Sequence, residues 1–184
     1  MAHGLIIESQ ISAANIDALN RFAYSDTVDF DGGALVALAS ENVAGDDRYE
    51  ASVPSTALNG LWVAYNPTDR HIDVEGRRFA GLLVDERAYT NLKGKTFDVF
   101  KPQANVDLID FSEDCVDATV ADAVVGDILE SKAGQSKLTR IAAGTGATAN
   151  HTAFKIESIR YVDFPKAGIG VDKVKVFHCV CIAE

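Results

Sequence analysis

Cysteine is scarce in this chain of 184 residues: there are three, Cys115, Cys179 and Cys181. An odd count of that size argues against a disulfide framework and fits a protein kept in a reducing compartment. Methionine and tryptophan occur once each and proline four times, so there is no Pro-rich linker and no low-complexity segment. Basic residues are outnumbered 17 to 27, for a net charge of −10, and the lysines are scattered between Lys93 and Lys175. That balance argues against a DNA-binding or anionic-membrane-binding face, which needs clustered Lys and Arg. Long hydrophobic runs are missing too. The longest, such as "ALVALA", fall far short of the roughly 20 residues of a membrane span. The opening "MAHGLIIESQ" lacks a basic start and its apolar run is short, so no secretory leader is expected and synthesis is assigned to the cytoplasm. No repeat of fixed period is visible.

What is present is a core and a series of strands. Apolar residues make up 47% of the chain and charged residues 24%, enough to bury a real interior at this length. Residues 1–184 suit one domain, or two β lobes, about 1–75 and 76–184, sharing a core. "HGLIIESQ" reads as a short strand or arm. A helix is expected over Ser12 to Phe22: Ser12 is an N-cap, Ile11 and Ile16 form a hydrophobic staple, and Ile16, Leu19 and Ala23 follow at helical spacing. "DFDGG" is a turn. Beyond it "GALVALAS", "RYEASV", "GLWVAYN", "RHIDVEG", "KTFDVFKP" and "NVDLIDF" read as short strands punctuated by proline and polar loops. "AVVGDILES" and "SKLTRIA" flank the hairpin turn "KAGQ". "AFKIESIRYVDF" carries two strand phases, Phe154 with Ile156 and Ile159 with Tyr161, which a bulge near Ser158 reconciles. The expected fold is mainly β, with a β-barrel core and one short N-terminal helix.

The closing "KVKVFHCVCIAE" tests for chemistry. As a strand it turns Val174, Val176, His178 and Val180 to one side and Phe177, Cys179 and Cys181 to the other. His178 then faces away from both thiols, and two cysteines fall short of the four ligands of structural zinc. A buried strand is the better reading. "GTGATAN" matches neither a Walker pattern nor a dinucleotide fingerprint. The carboxylates of "DDRYE", "VDERAY" and "SEDCVD" lack calcium-loop spacing and read as solvated loops. His3, His71, His151 and His178 are far apart, and no serine sits in a nucleophile elbow. No catalytic residue, cofactor or metal site is expected, which favours a binding or structural protein over an enzyme. Two features could carry a contact. Leu5, Ile6 and Ile7 form an apolar row that needs covering. Trp62 and Tyr65 are residue types that dominate binding hot spots, although Trp62 serves equally well as a core residue.

Several stretches resemble the capsid decoration, or head-stabilising, proteins of tailed bacteriophages: "MAHGLIIESQISAANIDALNR", "YEASVPSTALNGLWVAYNP" with Pro54, Gly60, Trp62, Tyr65 and Pro67, "GKTFDVFKPQANVDLIDFSEDCVD", and "VVGDILESKAGQSKL", which is similar to the strand–turn–strand of β-tulip capsid proteins. Together they touch about half the chain. The resemblance implies a β-tulip-like virion protein that binds the outside of the lattice built by the major capsid protein, as a homotrimer. An acidic surface suits an outward-facing shell protein better than one touching packaged DNA. The runner-up is a tail-tube or head–tail connector protein, with "GRRFAGLLVDERAYTNLKG" as the loop docking into the ring below. A small β-barrel ligand-binding module or enzyme is a third reading, resting on the acidic loops and the Cys-X-Cys pair.

Overall fold

The computed structural model describes residues 3–11, 16–42, 47–67, 71–74, 77–80, 89–165 and 170–184. It contains thirteen strands among those residues: β1 (Ile6–Gln10), β2 (Asn20–Tyr24), β3 (Leu35–Asn42), β4 (Arg48–Ser52), β5 (Trp62–Ala64), β6 (His71–Val74), β7 (Arg77–Ala80), β8 (Thr96–Phe100), β9 (Leu108–Ser112), β10 (Ile128–Glu130), β11 (Thr139–Ile141), β12 (Ala153–Pro165) and β13 (Val171–Ala183). The chain is mainly β, as its strand patterning implies. Strands β2-β4-β3-β5-β8 close into a barrel, β1-β9-β13-β12-β10-β11 form a six-stranded sheet, and β6 pairs with β7 as a separate ribbon. All pairs in the sheet are antiparallel. The barrel includes one parallel pair, β2 with β4. No described helix is long and apolar enough to cross a membrane.

The expected N-terminal helix is not what the described residues form. Residues 12–15 lie outside the description; Asp17–Leu19 make a single 3₁₀ turn and the next five residues are β2. Ile16, assigned to the staple, is extended (φ −132, ψ 100) and exposed. Leu19 and Ala23, read as one helical face, pack into different clusters. The tertiary ladder decides the matter. β2 pairs with β8 through all five of its residues and with β4 on its other side. A short isolated helix is marginal, whereas without β2 both neighbours would present open edges.

Barrel and sheet share one interior. Leu35, Leu61, Val63 and Phe100 of the barrel side pack in a single cluster with Ile6, Ile109, Phe111, Phe154, Phe177 and Cys179 of the sheet. Phe111 meets Phe154 edge-on, with ring centroids 5.0 Å apart, a favoured geometry for aromatic pairs. A second cluster, including Phe30, Val36, Phe97 and Val99, fills the barrel. The strands change allegiance after Phe100, where Pro102 interrupts the chain, and β1 crosses over to join the sheet.

The joint is tight. Gly33 has φ +78, and a Cβ there would lie 2.7 Å from Cys115 Sγ and 2.9 Å from Ile6 Cγ2. Only glycine fits both that conformation and that space. The expected bulge in β12 is found as a register shift between Ile156 and Ser158. "KAGQ" lies in the β10–β11 hairpin, with Gly134 at φ +80.

Candidate interaction surface

The closing strand β13 is central: β12 lies on one side and β9 on the other. Its alternation holds. Phe177, Cys179 and Cys181 enter the shared core, while Val174 and Val176 pack with Leu5 and Phe164 on the opposite face. Burial pushes the Cys181 thiol up to about 12 and raises Cys179 well above its ordinary range. Cys115 is likewise pushed up to about 12 by burial, and its Sγ donates to the carbonyls of Leu5 (3.2 Å) and Gly32 (3.4 Å). A thiol is nucleophilic or metal-binding as the thiolate, so these three sulfurs act as small core residues. Among the described residues no group of three or more His, Cys, Asp or Glu could hold a metal ion.

His178 lies on the other face, with Nδ1 2.5 Å from Oδ1 of Asp110 on β9. Asp110 is buried and also accepts from Arg160 of β12, so one carboxylate ties three strands together. The remaining acidic groups work similarly. In "SEDCVD", Asp117 caps a 3₁₀ turn over Ala118–Asp122 through the Thr119 N–H. Burial alone would raise its carboxyl, but donors from Thr119, Thr139 and Gln135 hold it down at about 2. Burial likewise acts to raise Asp127, but the N–H groups of Val124 and Ala143 and the Arg140 guanidinium outweigh it and lower its carboxyl. Glu130 accepts from the N–H and hydroxyl of Thr148, pinning the "GTGATAN" loop. Of "DDRYE", Arg48, Tyr49 and Glu50 belong to β4. Most of "VDERAY" lies outside the described residues, with Tyr89 buried.

The five candidate contact residues do not converge on one patch. Leu5 and Ile6 are buried within the chain itself, on opposite faces of the sheet, and Ile7 is half-buried beside Leu5. The N-terminal segment is therefore a paired strand, with Ile6 opposite Phe111, rather than a free arm. Its apolar row is covered from inside. Trp62 is half-buried against the barrel interior, with the Arg21 guanidinium 5.8 Å from its ring centroid. The Tyr65 ring lies tilted against Phe100, centroids 4.7 Å apart, and its hydroxyl donates to Asn20 Oδ1 at 3.1 Å.

The surface that does stand out is elsewhere. β12 and β13 pair along their whole length, Pro165 opposite Val171 and Tyr161 opposite Lys175. β9 ends its pairing at Val176 and β10 ends at Lys155, so the far part of the hairpin extends past its neighbours as a ribbon. Tyr161 is 68% exposed and Val171 60%. The alternation of "IRYVDF" hinted at this: Arg160, Tyr161 and Asp163 interrupt what would be a buried strand. Comparison with protein-family models, with curated proteins and with solved structures finds no match to this chain.

Proposed function

We propose that this chain is a structural virion protein that binds the outer surface of a phage capsid lattice and stabilises it, associating with itself as a homotrimer and with the major capsid protein as its partner. The observation that carries this reading is how the reactive side chains are employed. Asp110, Asp127, Glu130 and Asp117 each hold a strand or loop in place, and all three thiols sit in the core. The product is a braced acidic β body with an exposed ribbon, which suits binding. The segments that resemble decoration proteins also fall on the frame: "YEASVPSTALNGLWVAYNP" contains parts of β4 and β5, and "GKTFDVFKPQANVDLIDFSEDCVD" runs from the barrel into the sheet. A β-tulip-like description belongs to the same proposal. Multivalent attachment to a repeating lattice would supply affinity without a large contact per subunit.

One observation favours the tail-tube or connector reading. The ribbon of β6 and β7 pairs only with itself among the described strands, and β7 opens the segment expected to dock into a neighbouring ring; residues 81–88 of that segment lie outside the description. The test is to mix the purified chain with shells assembled from the major capsid protein of the same virus and to image the particles. Saturating density in groups of three on the outer face is expected. Six-fold rings or stacked tubes would select the second reading, and a monomer that leaves the shells bare would overturn both.

A further inference from the structure

The six-stranded sheet treats its edges unequally. Exposed edges invite pairing with other chains unless they are blocked. β1 is capped at its first residue by Asn66: its Oδ1 accepts the Ile6 N–H at 2.8 Å and its Nδ2 donates to the Ile6 carbonyl at 2.6 Å. β11 is blocked by the preceding segment: the Leu138 N–H donates to the Cys115 carbonyl at 2.9 Å, and the Arg140 N–H donates to the Thr119 hydroxyl at 2.9 Å. β12 is covered by β10 only at residues 153–155, and the main chain of Ile156 is held by Gly126 and Asp127. From Ser158 to Phe164 no described strand lies on that side.

The backbone phase of this open stretch follows from β13. The main chain of Cys181 bonds to Asn105 and Asp107, on the β9 side. Antiparallel hydrogen-bonded pairs alternate, so His178, Val176 and Val174 turn toward β12 and bond Ser158, Arg160 and Val162. Ile159, Tyr161 and Asp163 then present their N–H and C=O groups outward.

Among the described residues a second element has no further strand partner. β6 and β7 form a two-stranded ribbon, and such a ribbon is marginal in water without a third strand. Pairs alternate along an antiparallel ribbon, and with Val74 and Arg77 as a hydrogen-bonded pair Arg78 and Ala80 turn outward. Charge is compatible: β7 carries Arg77 and Arg78, and the one charged residue among the outward-bonding positions of β12 is Asp163, which faces Lys173 across its own hairpin.

We infer that the open edge of β12 receives the β6–β7 ribbon of a second copy of this chain, with β7 antiparallel to β12 and Arg78 opposite Asp163. This register pairs Ala80 with Tyr161 and satisfies the outward groups of Tyr161 and Asp163. The contact joins two different surfaces, so it is heterologous and propagates head to tail; a rotation of one third of a turn per copy closes it into the trimer proposed above, and any rotation that does not close gives a filament. The inference rests on the self-association proposed above and names the surface that makes it.

Sedimentation and mass photometry on the full chain test it. Tyr161→Pro removes one outward donor without touching the β13 ladder; Asp163→Arg and Arg78→Glu each place like charges across the contact. Each single variant should weaken assembly by roughly fivefold or more, the worth of one hydrogen bond or cross-strand pair, while the thermal melt of the monomer is kept. The double variant Asp163→Arg with Arg78→Glu should restore it. Normal assembly of Tyr161→Pro, or no restoration in the double variant, overturns the inference. Should those variants assemble normally while the wild type still coats capsid shells, the decoration reading survives and only this surface is wrong. A wild type that stays monomeric overturns the inference and the homotrimer together.

Discussion

Asn66 offers a sharp test of how the barrel is fastened to the sheet. It follows β5 of the barrel, yet its side-chain amide pairs with both main-chain groups of Ile6, on the edge of the other sheet. Gly32 makes room for it: a Cβ at that position would lie 2.3 Å from Asn66 Oδ1. Asn66→Ala leaves an N–H and a C=O of a buried residue without partners. Each such loss costs about 1–3 kcal/mol. Ile6 lies at a sheet edge, where water can reach the vacated groups, so the sum is placed at about 2–4 kcal/mol. At this chain length that corresponds to a fall in Tm of roughly 5–15 °C. Asn66→Asp should be no better, because it keeps an acceptor for the Ile6 N–H but turns a carboxylate toward the Ile6 carbonyl. The assay is thermal or urea unfolding together with amide hydrogen exchange at Ile6, which should accelerate more than exchange at Phe177 in the sheet centre. A melt within about 1 °C of the wild type, with Ile6 exchange unchanged, would refute the reasoning.

Two further outcomes are expected. The three thiols should resist alkylation at pH 8 in the folded protein and all react in denaturant, because burial raises Cys115 and Cys181 to about 12 and Cys179 well above its ordinary value; one fast-reacting native thiol would contradict this. The folded pKa of Asp117, about 2, lies below the unfolded value of about 3.9, so its contribution is present in full above the unfolded value and fades as pH falls through about 2. Asp117→Ala should therefore cost about 1–3 kcal/mol at pH 7 and progressively less toward pH 2, read from paired melts; a penalty that grows with acid would exclude the assignment.

Much of the local structure was legible in the sequence. An apolar run marks β3, and alternation marks β4, β8, β9, β12 and β13 close to where they lie, because side chains in a strand change face every residue whatever the strand pairs with. The conflict of phases at Ser158 marked the bulge for the same reason. The phase of "KVKVFHCVCIAE" separated His178 from the cysteines, and the fold keeps them on opposite faces. The misreadings share one cause. Residues 16–23 carry apolar residues at helical spacing, but Asp17–Leu19 make only a 3₁₀ turn and Asn20–Tyr24 form β2, which β8 and β4 bond on both sides. "GLII" reads as a strand or an arm, and partners distant in sequence decide for the strand: Ile6 packs with Ile109 and Phe111 of β9, and Leu5 with Phe164, Val174 and Val176 of β12 and β13.

Composition and alternation by themselves determined that this is an acidic, mostly β chain with buried thiols and a well-supplied core. Tertiary structure alone decided that the barrel closes, that its fifth strand comes from beyond the β6–β7 ribbon, and that Leu5 and Ile6 lie inside while Tyr161 and Val171 lie outside. The physical reason is the range of the interactions. Side-chain alternation is written into each strand by its own backbone, whereas edge pairing and face burial depend on partners distant in sequence, and the same pattern of residues accepts a neighbour or solvent until those partners are in place.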